Sequence, residues 1–324
     1  MIQVQAMPGE LAAGHARRYG LLNRVHPGQL LDAVRGEVSR GQQADNSKTV
    51  LEMLAEMSNM STERYAGAHS MLPVLRVAQR EGDLRPHGCK AARVLLRQFG
   101  MSSPKSEGYI CADCVQDDQR RFGFSWFKRE HHLFGVDWCI HHESLLLRVL
   151  DPDPLSALPH SWLGAGLIEP AREHVGPLNG AGEFLQKLAA ISVAILARRR
   201  PISTTAIHAK IRARLGELGL SRTRYGRKPP LSWYLKQVAP TDWLQWHLPD
   251  IRDAGAYCRL DMLDGFMTML APAAGHAYLV AMACLFDSVE DVLECITDLA
   301  RPNVVHEFQP KPAARSDVDA YSLQ

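Results

Sequence analysis

Cys111, Cys114, Cys139 and His142 stand as C-x-x-C followed much later in the chain by C-x-x-H. Thiolates and a neutral imidazole are donors that suit zinc, and two intervening residues let both members of a pair face one point from a tight turn. Three cysteines and one histidine would close a tetrahedral shell with no vacant position for water. The chemistry expected is therefore that of one structural Zn2+ crosslinking a small fold, not hydrolysis. A catalytic H-E-x-x-H is absent, since His142-Glu143 is followed at the required position by Leu146. His131, His132 and His141 crowd the same stretch. Spacing prefers His142 as the fourth ligand because C-x-x-H repeats the geometry of C-x-x-C, with His141 as the competing donor.

The elements that must position these residues follow from hydrophobic spacing and breakers. A chain of 324 residues, 46% hydrophobic and 22% charged, can bury a substantial core and divide into two or three domains. Residues 8–99 read as helical, with breaks at Pro8-Gly9, Pro27-Gly28, Gly41 and between Gly82 and Gly88. Ser47 is a candidate cap for a helix from about Thr49 to Met57, and Ser61 or Thr62 for the next. With the turn at Asn59 these make a helix-turn-helix-like unit. A polar linker, Met101 to Gly108, leads into the ligand cluster. Phe122, Phe124 and Trp126 alternate there and suggest a short strand among Arg120, Arg121, Lys128 and Arg129; packing beside the metal is preferred for them over a nucleic-acid surface. After a proline-rich connection, Phe184 to Leu196 and Ala206 to Leu218 recur at helical spacing, and Ser288 can cap the segment beginning at Val289.

The expected architecture is mainly α: a helical domain over 1–100, a small zinc ribbon over 101–150, a helical carboxy-terminal domain over 151–300 and a flexible tail over 301–324. The start of the chain lacks the continuous apolar stretch of a signal peptide, and the apolar run 277–286 is short enough to be a buried helix, so no membrane is expected. An odd count of seven cysteines in a chain this large suits a reduced, cytoplasmic setting, with Cys284 and Cys295 as buried thiols.

The net charge of +2 conceals an uneven distribution. Arg198, Arg199, Arg200, Lys210, Arg212, Arg214, Arg222, Arg224, Arg227 and Lys228 fall in one stretch that holds Glu217 as its single acid. Such a local excess suits the phosphate backbone of double-stranded DNA, where each neutralised phosphate releases counterions; the competing reading is a solvated helix face.

The run Cys111-Ala-Asp-Cys114, Trp126 and Val136-Asp-Trp-Cys139-Ile-His-His142-Glu-Ser-Leu-Leu146 resembles the zinc region of the TniQ/TnsD family of bacterial transposition proteins. His69-Ser-Met-Leu-Pro73 resembles the family's H-T-L-L-P-like segment, and Pro8-Gly-Glu10 its P-x-E segment. His276 with Leu285-Phe-Asp-Ser-Val-Glu290 resembles a segment of the longer, TnsD-like members. The proline and glycine that commonly flank the final C-x-x-H are replaced here by Ile140 and Glu143. The resemblance implies a non-catalytic adaptor that selects the target of a bacterial transposon, by binding DNA directly or by docking on a CRISPR guide-RNA effector complex. It would hand the target to an AAA+ ATPase and the transposase complex. The competing functions are a zinc-containing transcription regulator and, in another class, a hydrolase or nuclease.

Overall fold

Several helices in this chain begin where a side chain takes up an unpaired amide of the first turn. The computed structural model describes residues 2–38, 47–171, 182–221, 227–253, 261–265 and 272–300. Ala12–Leu22 (α1) and Leu30–Val38 (α2) lead to Val50–Met57 (α3). The cap of α3 is Thr49 and not the expected Ser47: the Thr49 hydroxyl accepts the Glu52 amide while the Glu52 carboxylate accepts the Thr49 amide. This reciprocal exchange satisfies two donors at once, and a residue two positions earlier cannot make it. Asn59, in the left-handed region at φ 54°, turns the chain into Thr62–His69 (α4), whose cap is Ser61. The short Leu72–Leu75 (α5), with Pro73 in its first turn, and Arg93–Phe99 (α6) complete this part. Tyr19, Leu51, Leu54, Tyr65 and Leu96 meet in its buried centre.

Between α5 and α6, Ala78–Gln79 (β1) pairs in parallel with Ile202–Ser203 far along the chain. Tyr109–Ile110 (β2) then runs into Ala112–Phe122 (α7). Leu147–Val149 (β3), Pro159–Ala165 (α8) and Ile168–Pro170 (β4) follow, and the antiparallel sheet has the order β2-β3-β4. Ile110 faces Leu147 across it, and Arg148 faces Glu169. The strand expected at Phe122 to Trp126 does not form. Phe122 belongs to α7, which stops at Gly123 in left-handed backbone; Phe122 meets the buried Trp126 ring edge to face and Phe124 meets it at a tilt. Trp126 and Phe127 are buried packing, as preferred from the sequence, whereas Phe122 stays 48% exposed.

The remainder is Gly182–Leu196 (α9), Ile202–Ser203 (β5), Thr204–Glu217 (α10), Leu231–Val238 (α11), Thr241–His247 (α12), Pro249–Asp253 (α13), Gly275–Leu285 (α14) and Val289–Ala300 (α15). Ser203 caps α10 and Ser288 accepts the Asp291 amide at the start of α15. The apolar run read at 277–286 lies in α14, which is buried on every side, and no described helix is long and apolar enough to cross a membrane. Gly275 permits that burial: a Cβ there would stand 1.9 Å from the Val74 carbonyl oxygen, so only glycine lets α14 start against α5.

The chain is mainly helical, as expected. Its main apolar core runs from Leu11 through Met71, Val136, Trp138 and Leu188 to Ile296, crossing the boundaries placed at 100 and 150. The β2-β3-β4 sheet likewise extends beyond 150. The physical reason is size, because two- and three-residue strands bury little and share the apolar core that α9 and α14 supply. The tail over 301–324 lies outside the described residues.

Candidate metal centre

Cys111 leaves β2 and becomes the N-cap of α7, its sulfur accepting the Cys114 amide at 3.5 Å. Cys114 therefore projects from a helix's first turn, whereas a tight turn was expected for this pair. A helix amino terminus favours the thiolate form, which is the form that binds metal. The second pair does sit on a tight turn. Trp138 bridges to Leu145, the Cys139 amide reaches the Ser144 carbonyl at 2.8 Å, and the Glu143 amide reaches the Cys139 carbonyl at 2.8 Å. Glu143 takes φ 54°, the left-handed conformation that explains why glycine is common at this place in the family it resembles.

The structure brings Cys111, Cys114, Cys139 and His142 together, their ligand atoms all within 4.8 Å of one another. His142 Nδ1 lies 3.6, 3.4 and 3.6 Å from the sulfurs of Cys111, Cys114 and Cys139, and the Cys114 and Cys139 sulfurs are 3.6 Å apart. A tetrahedron with metal–sulfur bonds near 2.3 Å and a metal–nitrogen bond near 2.05 Å has edges of about 3.5–3.8 Å, so most of the shell matches a four-coordinate ion. Hydrogen bonds from Cys114 and Cys139 hold the Cys111 thiol far below its ordinary pKa. His141 stands outside the cluster, with Nε2 2.6 Å from Glu130, while His131 and His132 are buried in the core.

Asp117 was not singled out from the sequence. It lies one turn beyond Cys114 on α7, and its carboxylate sits 3.2 Å from His142 Nε2. That contact assigns the ring proton to Nε2 and leaves the Nδ1 lone pair facing the sulfurs, the usual carboxylate–histidine–metal arrangement. Arg120, and then His142, hold the Asp117 carboxyl below its usual range. Ser144 Oγ, 3.3 Å from Cys111 Sγ, can donate to that sulfur. A helical i, i+3 acid after the second cysteine is the one signal that could have pointed to Asp117.

The P-x-E segment holds this centre against the amino-terminal helices. Glu10 is fully buried and takes both its carboxylate oxygens to Arg18 at 2.7 Å, with a further bond from the Met7 amide. Around it the Leu11 amide donates to the Phe127 carbonyl, the Arg129 amide to the Gly9 carbonyl, and Trp126 Nε1 to the Pro8 carbonyl. His69, from the H-T-L-L-P-like segment, is buried and donates from Nδ1 to the Glu10 carbonyl. On the opposite side Asp137, two residues before Cys139, meets buried Lys105 at 3.3 Å and His247 of α12 at 2.8 Å. Trp243, also in α12, donates to the Gly135 carbonyl at 2.9 Å.

The basic stretch divides. Arg199, Arg200, Lys210, Arg212, Arg227 and Lys228 are exposed. Arg214 is held by Glu217, Asp287 and the Leu285 carbonyl, and Arg198 is half-buried with Nη1 on the Ile296 carbonyl. Arg222 and Arg224 lie outside the described residues. In the helix-turn-helix-like unit, the loop at Gly88 packs against the start of α4: a Cβ at 88 would meet the Thr62 carbonyl at 2.6 Å and Glu63 Cα at 2.8 Å. The first turn of α4 is thereby covered on one side, where a recognition helix usually meets base edges.

Against known proteins, the search of curated sequences finds no match. Residues 1–146 match the TniQ family model, a span that begins before the P-x-E segment and ends just past His142. It contains the contacts by which that segment, His69 and the Cys3His cluster are tied together, and this part of the chain is similar to a TniQ domain.

Proposed function

We propose that this protein is a target-selection adaptor for DNA transposition, one that binds double-stranded DNA and recruits an AAA+ ATPase and the transposase complex. The TniQ match carries the reading, because a TniQ domain ties the chain to transposition-associated DNA targeting. In this reading Cys111, Cys114, Cys139 and His142 hold one Zn2+, which supplies a crosslink between α7 and the 138–145 turn. Four protein ligands leave no position for a reacting water, which supports an adaptor and not a hydrolase. The chain's own groups prepare the site: the helix amino terminus and Ser144 stabilise sulfur charge, and Asp117 orients the imidazole. The proposed DNA contacts are the exposed Arg199, Arg200, Lys210, Arg212, Arg227 and Lys228, with Arg222 and Arg224 added from the sequence.

Duplex binding by the full chain, titrated across salt, tests the DNA contact. The affinity should fall steeply with salt, and replacing Arg212, Arg227 and Lys228 together by alanine should flatten the log–log slope by roughly two to three. Binding that is unchanged in this variant would remove the basic stretch from the DNA interface.

A further inference from the structure

Among the described residues, apart from Arg35, three cationic or ionisable side chains away from the metal centre keep buried nitrogens without a hydrogen-bond partner. They are Arg76, at Nε and Nη1, His87, at both ring nitrogens, and Arg198, at Nε. Arg76 and His87 are 5% and 1% exposed. A guanidinium nitrogen withdrawn from water without an acceptor is costly, more so than a neutral donor, and a fold does not usually leave such nitrogens on two arginines beside an unpartnered imidazole, even where one of them, Arg198, keeps a bond from Nη1 to the Ile296 carbonyl.

The pairing of β1 with β5 is what brings them to one place. Arg76 immediately precedes Val77, whose carbonyl accepts the Ile202 amide at 2.8 Å. Arg198 immediately precedes Arg199, whose carbonyl accepts the His87 amide at 2.9 Å. Burial and then the charges of Arg76 and Arg198 push the His87 imidazole down to about 3, so positive charge from both guanidiniums reaches the ring. Asp83 acts on Arg76 only through space, from an exposed position. The cluster is thus rich in donors and short of negative charge. Its outer member, half-buried Arg198, adjoins the exposed Arg199 and Arg200, which gives an anion a charged approach.

We propose that Arg76, His87 and Arg198 form a phosphate-binding site at the β1–β5 junction. Guanidinium forks and an imidazole arriving from three separate segments suit a tetrahedral oxyanion, with acceptor oxygens on several sides, better than a planar carboxylate. The site stands independently of the DNA reading above, which bears only on whether the phosphate belongs to a duplex backbone or to a free or small-molecule phosphate.

The test is thermal unfolding of the full chain in inorganic phosphate against chloride at equal ionic strength and fixed pH. Phosphate should raise the wild-type Tm by a few degrees over chloride. Arg76→Gln should abolish that difference, and so should Arg198→Gln and His87→Gln, which decide the matter if Arg76→Gln does not fold. No phosphate-specific shift in the wild type overturns the proposal, as does an undiminished shift in folded Arg198→Gln and His87→Gln. A duplex titration then separates the sources. If Arg198→Gln also lowers duplex affinity and its salt slope by about one, the phosphate is that of the backbone. If it loses the inorganic phosphate response but binds duplex as before, the ligand is a free or small-molecule phosphate.

Discussion

At the scale of single residues, the four candidate metal donors are legible because ligand spacing is local: a pair separated by two residues fixes its own geometry whatever surrounds it. Their supports are not. Asp117 and Ser144 become visible only once α7 and the 138–145 turn face each other, and Arg18 gives no sign in the sequence that it will neutralise Glu10. The choice between His141 and His142 also waits for the fold, which turns one towards Glu130 and the other towards the sulfurs. Asp117→Asn keeps the size of the side chain and removes the charge that orients His142. It should weaken metal affinity by about 10–100-fold while leaving the stoichiometry near one at saturating zinc, as read by competition with a chromophoric chelator. An affinity equal to the wild type would mean that the Nδ1 ligand is oriented by the turn alone.

Among elements, helix positions are more legible than strand positions. Caps such as Ser61, Ser203 and Ser288, and the apolar spacing of α9, mark helices that form where expected. Strands of two or three residues are too short to show an alternation, so β1, β2 and β5 escape detection, while the alternation at Phe122, Phe124 and Trp126 arises in a helix end and its following turn. What the sequence withholds most is how closely elements approach. Gly275→Ala places a methyl group against the Val74 backbone where α14 begins on α5. The start of α14 must shift to accept it. The expected loss is about 1–3 kcal/mol in denaturant unfolding, and α14's burial makes a neutral result incompatible with the packing described.

For the whole molecule, the family match ends at 146 but the core does not. Met71 and Val74 from α5 region packing, and Trp138 beside Cys139, share one apolar cluster with Leu188, Ile191 and the residues of α14. A chain cut after residue 150 should therefore lose cooperative thermal unfolding and bind a hydrophobic dye, even with zinc supplied. A sharp melt matching that of the full protein would show the amino-terminal part to be self-sufficient. This joining of remote segments is the least legible property of all, because every contact that produces it spans a large separation in sequence. The bond from Trp126 Nε1 to the Pro8 carbonyl bridges 118 positions, and β1 finds its partner only at Ile202 and Ser203. On the ribosome, then, Glu10 and its neighbours emerge long before the segment that receives them, and β1 stays without its mate until most of the chain is made. The amino-terminal helices must wait in an unfinished state during synthesis, so the passage of translation beyond the second arm of this closure sets when the chain can first become native.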